Sequence, residues 1–169
     1  METVYFQGTP CHTYGLVPEP GDKAPCFNLV DSNLRDIRCN DFFGKTVVLN
    51  IFPSLDTEVC AASVRRFNKE ASELPDVAVV CVSMDLPFAA KRFCTAEGIQ
   101  NLTVASAFRS PLFGQKYGLE LVDGPLAGLL TRAVIIYDPE LKIIYRELVP
   151  EITHEPDYRA ALAVLKHGK

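Results

Sequence analysis

Hydrophobic positions along the chain follow two periods. The runs "TVVLNIF", "VAVVCVSM" and "RAVIIYD" are apolar on both faces and rich in β-branched residues, as central strands of a covered sheet should be. "TVYF", "CFNLV", "LTVASAF" and "KIIYREL" predict further strands. Helical periods alternate with these runs. Val64, Phe67, Ala71 and Leu74 form one apolar stripe, with Arg65, Arg66, Lys69 and Glu70 on the outward face. A second helix is predicted over Pro87–Glu97, with proline in its first turn and Gly98 as its stop. "PLFGQKYG" predicts a short helix closed by Gly118, and "EPDYRAALAVLK" an amphipathic C-terminal one. "DPELK" reads as the turn of a hairpin between the last two strands. Strand–helix–strand–helix, then an antiparallel hairpin and a closing helix, predicts an α/β sandwich with a mixed sheet. No repeat, low-complexity tract or linker interrupts the pattern, so 1–169 reads as a single domain.

Composition narrows the function classes. The chain has 169 residues, 48% of them hydrophobic, enough for a substantial core. Its formal charge is -4 and it has no Lys/Arg run, which disfavours nucleic acid and anionic membrane surfaces as partners. No segment approaches the roughly 18 consecutive apolar residues of a membrane span. The start, "METVYFQGTP", lacks a basic n-region and an apolar h-region, so no secretory signal is expected and the cytoplasm is the default compartment. "YFQG" resembles a protease-tag scar, but "TVYF" alternates and runs into a Gly-Thr-Pro turn, which favours a native strand. Cys11, Cys26, Cys39, Cys60, Cys81 and Cys94 therefore suggest redox or catalytic use before a disulfide framework. There is no CxxC, and Cys11-His12 lacks companion ligands at zinc-like spacing, so no metal is expected.

One cysteine is placed to react. In "NIFPSLDTEVCAASVRRFNKEAS" an apolar strand ends in a Pro-containing loop, and Cys60 falls where a helix begins. Thr57 can cap that helix by accepting a backbone N–H, or its hydroxyl can face the sulfur or an incoming oxygen. Cys60 then sits in the first turn, beside unpaired N–H groups and the positive end of the helix dipole. A helix N-terminus with a nearby cation lowers a cysteine pKa from about 8.5 toward neutrality. Pro53 shapes the loop and shields the pocket from water. An arbitrary cysteine is more often a small core hydrophobe. The threonine three residues earlier, at a strand-to-helix junction, raises the nucleophile to equal standing with that reading.

The motifs carry a resemblance. "PSLDTEVC" fits the Pro-x-x-x-Thr-x-x-Cys motif of the peroxiredoxins, and "GDKAPCFNLVD" resembles their Gly-x-x-Ala-Pro-x-Phe opening. "NIFPSLDTEVCAASVRRFN", "DLPFAAKRFCTAEG", "DGPLAGLLTRAVIIYD" and "EITHEPDYRAALAVLK" resemble the atypical two-cysteine branch, the bacterial thiol peroxidases. The likeness covers almost the whole chain. It implies a thioredoxin-like fold with an N-terminal hairpin extension over 1–16. It further implies that Cys60 is the peroxidatic cysteine and Cys94 the resolving cysteine of the same subunit. Pro53 and Thr57 would be active-site loop residues, and Arg132 the arginine that pairs with the thiolate and peroxide. A homodimer, thioredoxin as reductant, and no metal or organic cofactor are also implied. Glu58 departs from the small residue expected there, and is expected to point outward.

The implied chemistry is hydroperoxide reduction. Arg132, at the start of an apolar strand, carries a guanidinium that stays charged and donates in a fork. Such a group can orient a peroxide and offset charge on the departing oxygen. Cys81, inside "VVCVS", reads as inert core, and Cys11, Cys26 and Cys39 as bystanders. His12, His154 and His167 show no partner that would make a base for a cysteine hydrolase. Two rival classes remain: a redox sensor or holdase-like binding protein with slow turnover, and a thioredoxin-like disulfide oxidoreductase, against which the missing CxxC argues.

Overall fold

A computed structural model describes residues 1–167, with the side chain of His167 outside the described residues. The strands are β1 (Thr3–Phe6), β2 (Thr9–His12), β3 (Asn28–Asp31), β4 (Asp36–Arg38), β5 (Thr46–Ile51), β6 (Val77–Ser83), β7 (Thr103–Ser106), β8 (Ala133–Tyr137) and β9 (Ile143–Leu148). The α-helices are α1 (Glu58–Ala71), α2 (Pro87–Glu97), α3 (Pro111–Lys116) and α4 (Tyr158–His167), with a 3₁₀ turn over Cys39–Phe42. Seven strands form one mixed sheet in the order β4-β3-β7-β6-β5-β8-β9, and β1-β2 stand apart as a hairpin. The β5–β6 and β6–β7 pairs are parallel, while β5–β8 and β8–β9 are antiparallel. This is the expected thioredoxin-like sandwich with an N-terminal hairpin.

Alternation along the central strands builds two cores. Val48, Val79, Cys81, Val134 and Ile136 face α1, α2 and α4. Their neighbours Val47, Leu49, Val80, Val82 and Ile135 face the opposite side, where Phe113 and Tyr117 pack. Both faces are covered, which explains why these runs are apolar throughout. On α1 the predicted stripe is buried at Val64 and Phe67. Burial of each such side chain contributes about 1.5–3 kcal/mol. Gly98 ends α2 in the left-handed conformation, its N–H bonded to the Cys94 carbonyl.

Three local readings change. The N-terminal turn is Gln7-Gly8, both at positive φ as a two-residue hairpin requires, so Thr9 and Pro10 already belong to β2. The short β4 has no apolar run because only Ile37 of its three residues is buried. Its pairing has a larger consequence: Cys26 and Cys39, expected to be bystanders, are joined in a disulfide with their Cα atoms 5.4 Å apart. Asn28 lies opposite Arg38, so the residues just outside that pair meet at the open end of the hairpin. A three-residue polar strand hides this closure from the sequence.

The bridge closes a loop with a sequence separation of 13. On the chain-entropy model it should stabilise the fold by about 3 kcal/mol. Cys39→Ala is expected to lose about that amount in denaturant unfolding, and reductant should then have no further effect. A loss under about 1 kcal/mol would show that the staple contributes little beyond the hairpin's own pairing.

Candidate active site

The site is assembled where β5 stops. After Phe52 and Pro53 the loop folds back on itself through Ser54, whose carbonyl accepts from the Thr57 N–H at 3.2 Å and the Thr57 hydroxyl at 3.1 Å. Thr57 has extended dihedrals, and its Oγ1 accepts the Cys60 N–H at 3.3 Å. That is an N-cap, so the hydroxyl is engaged with backbone on both sides. Cys60 occupies the third helical position and is fully buried. Below it, the Ser63 hydroxyl donates to the Cys60 carbonyl at 2.8 Å and accepts from the Asn50 amide at 3.1 Å.

Arg132 reaches the sulfur from the other side. Its Nη2 donates to Cys60 Sγ at 3.2 Å, its Nε donates to the Ile152 carbonyl at 2.7 Å, and it is only 2% exposed. Its Nη1 has no hydrogen-bond partner among the described residues. A buried guanidinium with a free donor, against a sulfur at a helix N-terminus, is an environment built for negative charge. A cavity of about 200 Å³ lies over these groups, walled by Pro53, Thr57, Val59, Leu129, Arg132 and Ile152. Its wall is apolar apart from the polar groups beside Cys60, which suits a small ligand with a polar head. Glu58 is exposed and contributes to the rim of this cavity.

Two supports of this geometry are invisible in the motifs. Asp85, at the end of β6, accepts from Ser54 Oγ at 2.8 Å, the Leu55 N–H at 2.7 Å and Ser83 Oγ at 2.6 Å. It ties the Cys60 loop to the segment that begins α2. A carboxylate just after a strand, two residues before a proline, was the only signal for it. The second support is the N-terminal hairpin: Tyr5 bonds backbone-to-backbone with Pro150 and Ile152, and so fixes the carbonyl that holds Arg132. Asp85→Ala is expected to slow Cys60 oxidation by about 10²-fold, the scale of a misplaced reacting group. Stopped-flow oxidation rates check this, and a rate within twofold of the parent protein would show the loop holds itself.

The structure does not bring Cys94 to Cys60. Both thiols are free, on separate helices. Cys94 lies in the last turn of α2, half-buried, on a different cleft with Ser32, Lys91 and Gly98. Burial raises its pKa. Cys81 is fully buried, and burial pushes its pKa up to about 12, so it stays a protonated core thiol at neutral pH. His12 does have a carboxylate partner, contrary to expectation: its Nδ1 lies 2.6 Å from Asp123. The hydrogen bond from His12 lowers the Asp123 pKa. Cys11 is buried in the separate core of the hairpin with Val4, Leu121 and Ile152, and burial, with the charge of Asp123, raises its pKa, which disfavours it as a nucleophile for that pair. No group of three or more His, Cys, Asp or Glu that could hold a metal occurs among the described residues. No helix among them is long and apolar enough to cross a membrane.

Comparison with known proteins places this arrangement. The Redoxin family model matches residues 19–162. A thiol peroxidase of Corynebacterium glutamicum is 52% identical over 165 residues, covering 98% of this chain and 99% of that protein. One from Mycobacterium bovis is 50% identical with the same coverage. Among solved structures, a peroxiredoxin-like protein from Aquifex aeolicus superposes with a TM-score of 0.94 at 42% identity, over 98% of this chain and 96% of the other. The matched segment runs from before β3 into α4 and contains Cys60, Cys94 and Arg132, and the chain therefore belongs to the Redoxin family, in its thiol peroxidase branch of peroxiredoxin-type enzymes.

Proposed function

We propose that the chain reduces hydrogen peroxide and alkyl hydroperoxides through Cys60, resolves the product with Cys94 and is recycled by thioredoxin. The observation that carries this reading is the 3.2 Å contact between Arg132 Nη2 and Cys60 Sγ, beside a second guanidinium donor with no partner among the described residues. The Cys60 thiolate attacks the terminal peroxide oxygen and the O–O bond breaks. Cys60 becomes a sulfenic acid, and the leaving oxygen departs as hydroxide or alkoxide that takes up a proton. Arg132 is placed to hold the thiolate, and its free Nη1 to meet charge arriving on the peroxide oxygens. Thr57 and Pro53 keep the loop closed over the sulfur and water away from it.

Resolution needs movement. The Cys94 thiolate displaces the sulfenic oxygen, which leaves as water after protonation, and a disulfide forms. A bridge requires Cα atoms about 4.4–6.8 Å apart. Cys94 sits in a terminal helical turn, the part of a helix that opens at least cost. Local unwinding of α2, and of the first turn of α1, would carry the two sulfurs together. A dithiol then reopens the bridge by exchange. The whole chain, 1–169, acts as one domain with 1–16 as its hairpin extension, and works in the cytoplasm as a homodimer without metal or organic cofactor.

Steady-state turnover with thioredoxin, its reductase and NADPH against several peroxides tests the reading. A catalytic efficiency no better than that of a free thiol would favour a slow redox sensor. Cys94→Ser is expected to consume about one peroxide per chain and then stop, with Cys60 trapped as sulfenate. One equivalent of peroxide should weaken helical circular dichroism in the parent protein but not in this variant. Full thioredoxin-linked turnover by Cys94→Ser would remove the resolving role.

A further inference from the structure

The Cys26–Cys39 disulfide stands outside the machinery just described. Its two ends differ sharply in access: Cys26 is exposed, while Cys39 is buried at 6% exposure. Cys26 also lines a groove of about 280 Å³, whose other walls include Phe27, Leu112 and Phe113 as well as Arg109 and Lys116. Arg109 is committed to Asp36 at 2.8 Å. Lys116, exposed in the last turn of α3, forms no ion pair among the described residues. A disulfide is thus presented from one sulfur only, in a cleft of small-molecule size with a cation at its wall.

From this juxtaposition we propose that Cys26–Cys39 is a second redox centre, which exchanges with a small anionic thiol of the glutathione class seated in the Lys116 groove. The small thiolate attacks Cys26 Sγ. The Cys26–Cys39 bond breaks and the electron pair leaves on Cys39, which takes up a proton. A second small thiolate attacks the ligand sulfur of the Cys26 mixed disulfide. It releases the symmetrical small disulfide, and Cys26 departs as thiolate. In sum, one protein disulfide and two small thiols give a protein dithiol and one small disulfide. The same small disulfide reverses the reaction, so the state of the pair follows the ambient thiol pool. Attack on Cys26 is set by access, since Cys39 is buried.

The structural result of reduction is local. The bridge closes the open end of the β3–β4 hairpin, and β3 joins the rest of the sheet through only two register pairs, Val30–Ser106 and Asp31–Ala105. The exchange is independent of Cys60 and Cys94, which report separately in the same experiment.

The test follows the disulfide by differential alkylation and peptide mapping of the full-length oxidised protein. Millimolar glutathione should open Cys26–Cys39, and Cys39→Ser treated with oxidised glutathione should carry the adduct on Cys26. Lys116→Glu should slow opening by glutathione about threefold to tenfold while leaving opening by neutral 2-mercaptoethanol unchanged, because only the anionic thiol is steered by that charge. Lys116→Gln should fall between them and serves if the glutamate variant misfolds. The proposal is overturned if the disulfide survives glutathione, or if it opens only to a protein dithiol. It is equally overturned if Lys116 variants slow both small thiols alike or neither.

Discussion

Cys60→Ser is expected to lose peroxide reduction entirely, with residual consumption at least about 10³-fold below the parent enzyme, since an unactivated hydroxyl is a poor nucleophile at neutral pH. The surroundings should survive the change. Cys60 is fully buried and its backbone is held by the Thr57 cap and the Ser63 hydroxyl, neither of which involves the sulfur. The Arg132 Nη2 that now meets sulfur would meet a hydroxyl, so no buried donor is newly orphaned. The guanidinium does lose the thiolate it faces, so the melting temperature should fall modestly while the protein stays folded and activity disappears. Stopped-flow peroxide consumption and a melt on the same sample separate the two effects. Peroxide reduction by Cys60→Ser above a tenth of the parent rate would move the nucleophile to another cysteine, with half-buried Cys94 the first to examine.

Arg132→Met should have the next largest effect, slowing Cys60 oxidation by about 10²–10³-fold, the scale of losing one preorganised charged donor at a reacting centre. Methionine keeps much of the volume but neither the charge nor the fork. The Ile152 carbonyl loses its donor, which costs about 1–3 kcal/mol, and removal of the unpartnered Nη1 offsets part of that. Arg132→Lys should recover only part of the rate, because an ammonium cannot hold Ile152 and the sulfur as the guanidinium fork does. Second-order rate constants for oxidation by peroxide, taken beside denaturant melts, check both variants. An Arg132→Met protein with parental oxidation kinetics would reduce that side chain to a structural tie between β8 and the segment after β9.

Much of the fold was legible because its signals are periodic. Strands buried on both faces must be apolar at every position, and an amphipathic helix must repeat at helical spacing, so the central sheet, α1 and α2 could be read directly. Thr57 and Cys60 were legible for a related reason: an N-cap and the first helical turn lie within four residues, and their contact is local. Arg132 could be singled out as an odd charge before an apolar strand, and family likeness alone supplied its role and that of Cys94.

Contacts distant in sequence were not legible. Asp85 reaches the Cys60 loop because β5 and β6 are parallel neighbours whose ends lie side by side. Ile152 offers its carbonyl to Arg132 because the N-terminal hairpin pins it there. Cys26 meets Cys39 because a three-residue strand, too short and polar to announce itself, pairs with β3. Period and capping are properties of neighbouring residues, so the sequence by itself determined the layers of this protein and the helix on which Cys60 sits. Which charge faces that sulfur, and which two cysteines are bonded, depends on register between strands far apart in the chain. Only the tertiary structure decides that.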